Sequence, residues 1–361
     1  MATQWLCFSR LTKRTNIALV SRQPILWPKF YTTGMTEMKL KEAINQYIKY
    51  CLTGDVKSGY AFLKSINNPS KSIVKFTGKV ENRFFRNKPY RRFKTDITWV
   101  RDVLSSYYDY YIETMAVRID KKTAEMNLLQ SLKSLPFNAS GSDIREIEAS
   151  ISQKFKSIGW NFLGGVTQPY FGPYIYEELE EKIYSVELPD GNRNLPVKLM
   201  RKFHSLSWLD YATFGLCGTG GWAKQDGLYC VAQKYDISSE NFQVSYLKHE
   251  AQHYDDYFRF PFLSEGKQEI LEYRAKLVEL IYSSSDALFK KFMREARNDP
   301  HYPHLLASYQ IEQGFREHLG SKSNDLTTII TDVQQIREVA RLLYACNTDE
   351  LKKGQCRGQK I

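Results

Sequence analysis

Residues 246–255 read Tyr246-Leu247-Lys248-His249-Glu250-Ala251-Gln252-His253-Tyr254-Asp255. The stretch lies in a segment, near 241–258, whose pattern predicts a helix following a small sheet. On a helix, two histidines four residues apart sit about 40° from each other around the axis and about 6 Å apart along it. Both imidazoles can then reach one metal ion at about 2 Å. Glu250 stands beside them, where it can take a proton from a metal-activated water without being a ligand. The plain alternative is a buried pair of helix histidines with a surface glutamate. With 6 His in 361 residues, an H-E-x-x-H run arises by chance in about one such chain in a hundred, so the metal reading leads.

Catalytic zinc takes three protein ligands and keeps one position open. Eighteen residues separate His253 from Glu272, which lies within Gln268-Glu269-Ile270-Leu271-Glu272-Tyr273-Arg274-Ala275, with Glu269 and Glu279 as the nearest other carboxylates. H-E-x-x-H, eighteen residues, then E-x-x-A resembles the gluzincin metallopeptidases. The resemblance implies one Zn2+ per chain held by His249, His253 and Glu272, with Glu250 as general base and acid. It also implies hydrolysis of a peptide or protein substrate by a thermolysin-like domain, in which a small sheet precedes the active-site helices. The oxyanion donor in such enzymes comes from helices after the glutamate ligand, and His304 and Tyr309 are the candidates here. The glycines of Gly218-Thr219-Gly220-Gly221-Trp222-Ala223 and the strand over 227–232 suit an edge that pairs with a substrate backbone, or simply a hairpin that needs glycine in its turns. The sequence departs from the family pattern at Asp255, where an apolar residue is usual. It departs again at Lys276, where a carboxylate would support a ligand, and in lacking G-x-M-E-N before the helix. Asp255 or Asp256 is therefore expected either to hold a ligand imidazole or to face solvent.

Outward from this centre the chain divides into a leader over 1–35, a helical domain over 36–158, a gluzincin-like domain over 159–348 and a flexible tail over 349–361. The fold class expected is α+β, strands and helices being segregated along the chain. Residues 1–100 carry 19 Lys/Arg against 5 Asp/Glu, so the net charge of +11 belongs to the front of the chain. Within it, Arg83-Phe84-Phe85-Arg86-Asn87-Lys88-Pro89-Tyr90-Arg91-Arg92-Phe93-Lys94 interleaves basic and aromatic residues. Such a run can bind nucleic acid or a membrane surface, or can be a basic loop whose aromatics pack inward. Two other functions stay open on these grounds: a non-catalytic zincin-fold interaction protein, and a nucleic-acid-binding protein with a structural zinc. The acid-free, Arg- and Ser-bearing residues 1–34 read as an over-extended start ahead of Met35 or as a transit peptide, which makes the expected location cytoplasmic or organellar. No run approaches the length of a transmembrane helix. The six scattered cysteines read as reduced thiols.

Overall fold

The computed structural model describes residues 5–6, 38–87, 89, 91–117, 119–137, 139–264, 266–320 and 325–358. The expected leader lies outside the described residues except for Trp5–Leu6, strand β1. Helices α1 (Leu40–Cys51), α2 (Val56–Lys64), α3 (Lys71–Phe84), α4 (Thr98–Ile112), α5 (Lys121–Lys133) and α6 (Ile144–Lys156) follow. Side chains of Asp55, Ser70, Asp120 and Asp143 accept hydrogen bonds from the first turns of α2, α3, α5 and α6, so polar residues mark where these helices begin. α1 and α2 are separate helices because Gly54 turns the chain at φ +73° between them. Asp96 lies one residue before the N-cap of α4 and pairs with Arg101.

The strands are β2 (Asn161–Leu163), β3 (Val166–Thr167), β4 (Tyr170–Phe171), β5 (Tyr174–Leu188) and β6 (Gly191–Leu206), then β7 (Gly218–Thr219), β8 (Gly221–Lys224) and β9 (Gly227–Val231). The main sheet has the order β2-β5-β6-β9-β8, antiparallel except for the parallel β6/β9 pair, and β8 forms one edge. The short helix α7 (Ser207–Ala212) leaves β6 and returns to the helical unit. There Trp208, Leu209 and Ala212 join the core around Tyr107, Tyr111 and Phe155. The hydroxyl of Tyr47 donates to the carbonyl of Ala212 at 3.0 Å. The two halves of the chain thus share a core across the hairpin's exit.

The helices of the second half are α8 (Glu240–Phe242), α9 (His249–Arg259), α10 (Gln268–Tyr282), α11 (Ala287–Glu295), α12 (Pro303–Leu319), α13 (Leu326–Ile329) and α14 (Val333–Gly358). A π-helical segment, Gln243–Lys248, joins α8 to α9, so the helical path to His249 is unbroken. Widened turns of this kind recur beside functional residues. Helices α10 and α11 are separated by Ser283–Asp286. Residues 349–358 are the end of α14 and not a loose tail; Leu351 packs with Phe260, Leu263 and Leu271. Mixed helix and sheet in segregated order make the class α+β. No helix among the described residues is long and apolar enough to cross a membrane.

The basic, aromatic segment is part of this packing. Arg83 donates to the carbonyl of Tyr211 and lies 3.9 Å from the ring centroid of Phe214, Phe85 stacks on Tyr60, and Phe93 stacks on Tyr108. Lys94 donates to the carbonyl of Phe203 at 2.9 Å. Lys88 and Tyr90 lie outside the described residues. Cys51, Cys230 and Cys346 are free, as expected, but Cys217 is disulfide-bonded, which corrects the reading of all six as thiols.

Candidate metal centre

Helix α9 presents His249 and His253 on its buried face, and α10 crosses it to present Glu272. The Nε2 atoms of the two histidines stand 3.0 Å apart. Oε2 of Glu272 lies 3.5 Å from Nε2 of His249, and Oε1 lies 3.6 Å from Nε2 of His253. These three buried side chains can hold a metal ion between them. Of the alternatives, Glu269 does not join the group. Glu279 lies behind it, its Oε1 accepting from Nδ1 of His249 at 2.7 Å. That bond puts the proton of a neutral His249 on Nδ1 and leaves the Nε2 lone pair facing the ion's position.

The electrostatics ask for a cation at this place. Glu250, Glu272 and Glu279 bury their carboxyl groups together with the two imidazoles. Burial alone would lower His249, yet the hydrogen bonds and charges of Glu272 and Glu279 push its pKa up to about 10. Burial would raise Glu272, but the charge of His304 and hydrogen bonds from the histidines hold it well below the usual carboxylate range. Anions buried this far from water are costly unless something positive stands among them.

Glu250 is fully buried, and neither of its carboxylate oxygens makes a hydrogen bond of ordinary geometry to another described residue. Burial lifts its pKa, with the charges of His253 and His249 and the backbone N–H of Ala223 pulling the other way. Ala223 belongs to the edge strand β8, which runs against α9. A Cβ on Gly221, at the start of β8, would stand 2.2 Å from the ring of Tyr246, so glycine here lets the strand seat on the π-helical segment that leads into α9.

Helices α9 and α10 are pinned by a buried ion pair. Nε of Arg274, two residues beyond Glu272, donates to Asp256 at 2.9 Å, and the guanidinium also reaches Tyr344 and Thr348 of α14. Asp255 pairs with Arg193 and Arg259. Neither aspartate touches an imidazole, so the expected support for a ligand comes from Glu279, on the facing helix, and not from α9 itself. Lys276, at the position where a carboxylate was absent, turns away and donates to Ser308 at 2.8 Å.

His304, at the start of α12, reaches the centre: its Nδ1 is 2.7 Å from Oε2 of Glu272. Tyr309 does not. It lies five residues on, about 140° around the helix from His304, and makes no hydrogen bond or ring contact with the group among the described residues. The face of α12 turned inward carries Ala307, Ser308 and Ile311 instead.

A cleft of about 720 Å³ opens beside Glu272 and His304, and its far wall is helix α6, with Arg145, Glu148 and Ser152. The floor is the segment from Phe162 to Gln168. Sequence reading singled out none of these residues, because α6 comes about a hundred positions earlier in the chain and only tertiary packing brings it here. Comparison with known proteins supplies no relative: no family model, curated protein or solved structure matches the chain.

Proposed function

We propose that the protein is a zinc-dependent peptidase of gluzincin type, with a thermolysin-like arrangement of edge strand and active-site helices. The observation that carries this reading is the spacing of the three donor atoms. Ligands at about 2.1 Å in a tetrahedral zinc site stand about 3.4 Å from one another; here the separations are 3.0, 3.5 and 3.6 Å. A zinc ion held by His249, His253 and Glu272 supplies Lewis acidity to a water and to the substrate carbonyl.

The chain's own residues do the rest. Glu250, desolvated and with only the backbone N–H of Ala223 drawing on its carboxylate, takes the proton of the attacking water and returns it to the leaving amine. Glu279 keeps His249 in the tautomer that leaves Nε2 free. Strand β8 offers its open edge to an extended peptide backbone, which would lay the scissile bond along α9. His304 lines the cleft and contacts Glu272, and it is the donor we assign to the carbonyl oxygen as charge develops there. The packing of Arg83, Phe85 and Phe93 into the fold speaks against nucleic-acid binding as the main task.

X-ray absorption at the zinc edge tests the metal reading. The expected result is one zinc per chain with nitrogen and oxygen neighbours only and one neighbour that exchanges with added anions. A protein that takes up no metal, or holds it with a sulfur ligand, would overturn the assignment.

A further inference from the structure

We propose that the buried carboxyl of Glu148 anchors a positively charged group of the peptide substrate, its N-terminal amine or the side chain of a lysine or arginine. This rests on the peptidase reading for what the cleft holds, but not for the site itself. Glu148 lies on the wall of the cleft that faces Glu272 and His304. It is 5% exposed, and Oε1 accepts from the hydroxyl of Tyr107 at 2.7 Å. Among the described residues it has no ion-pair partner. Arg145, three residues earlier on the same helix, is exposed at the rim and acts on Glu148 only as a distant charge.

The second oxygen is reached through a glycine. A Cβ on Gly164 would stand 2.5 Å from Cδ of Glu148 and 2.6 Å from Oε2. Any other residue at 164 would therefore cover the carboxyl or displace it. Glycine thus lets the backbone come close to Oε2, and both residues line the cleft. A buried carboxyl with only neutral partners, the Tyr107 hydroxyl and the backbone N–H of Gly165, and no cation is costly to ionise. A cationic group reaching it from the cleft would neutralise it, and the charge-assisted hydrogen bonds so formed are the strong kind. Burial pushes Glu148 up to about 7, the direction expected of a carboxyl with no counter-charge beside it. An anionic group would meet a carboxyl it repels, so the geometry favours a cation.

The test uses the full-length, zinc-loaded chain carrying Glu250→Gln, so that peptides bind without turnover. Affinities are measured by calorimetry for matched peptides: free against acetylated N-terminus, and lysine or arginine against norleucine at each position. We expect one series to lose at least tenfold in affinity when its cation is removed. Loss on acetylation identifies the amine, and loss on norleucine substitution identifies the side chain. Adding Glu148→Gln, which keeps an oxygen for Tyr107, should abolish that difference. Gly164→Ala, whose methyl group would cover or displace the carboxyl, should reduce the same difference. Charged and neutral peptides bound alike, or a charge preference that survives Glu148→Gln, would overturn the anchor. The peptidase reading fails separately: if charge-dependent binding depends on Glu148 but the protein with Glu250 intact cleaves none of these peptides, the anchor stands and peptide hydrolysis does not.

Discussion

Replacing Glu148 by glutamine should flatten the pH dependence of stability across neutrality. Burial is the largest influence on this group and lifts it from 4.5 to about 7, although Tyr107, the backbone of Gly165 and Arg145 all pull it down. Between those values the folded protein keeps a proton that the unfolded chain releases. The contribution is therefore complete below the unfolded value of 4.5 and is lost as pH rises through about 7. At about 1.4 kcal/mol per pKa unit, the span is worth about 3 kcal/mol. Glutamine does not titrate and still offers Tyr107 an oxygen, so the variant should lack this loss while keeping the hydrogen bond. Urea unfolding of both proteins at about pH 5 and about pH 8 gives the comparison, since all other titrating groups are common to the two chains. The wild type should lose about 3 kcal/mol more than the variant over that interval. Parallel losses would mean that Glu148 is well hydrated in the folded state, and the reasoning from burial would fail.

Two further perturbations probe the supports of the centre. Glu279→Gln keeps an acceptor for His249 but removes its charge, and zinc affinity measured by chelator competition should fall by about 10–100-fold; an unchanged affinity would remove Glu279 from the ligand's support. Gly221→Ala places a methyl group 2.2 Å from the ring of Tyr246 and 2.5 Å from the carbonyl oxygen of Tyr229, so thermal unfolding should show a loss of about 1–3 kcal/mol. Wild-type stability in that variant would show that β8 does not seat on the segment leading into α9 as described.

The centre is legible in the sequence where it is local. His249 and His253 share a helix face through the i, i+4 spacing alone, and Glu272 follows on the next helix at a spacing that suits a return crossing. His304 can be reached as the first polar residue of a later helix. Tyr309 shows where such reasoning fails: proximity in sequence says nothing about helical phase, and five residues turn the side chain away. Glu279 is two turns beyond Glu272, and its bond to His249 depends on how α9 and α10 cross, which no pattern within either helix encodes. The aspartates at 255 and 256 sit beside the ligands in sequence, yet arginines of the β5–β6 hairpin, of α9 itself and of α10 take them up. Glu148 is the extreme case, a buried carboxyl on an early amphipathic helix that comes to line the cleft beside a glycine of another segment. The hairpin β5–β6 is longer than its apolar alternation suggests, because much of its length is exposed and carries charged residues on both strands.

Cleavage of a mixed peptide library by wild type and Glu250→Gln, with zinc content measured on the same samples, tests the central claim most directly. Glu250 is not among the atoms that face the ion, so the variant should hold zinc at the wild-type level. It should lose proton transfer, slowing cleavage by about 10²–10⁴-fold. Equal cleavage by the two proteins, or no cleavage by a zinc-loaded wild type, would contradict the assignment of this centre as a peptidase site.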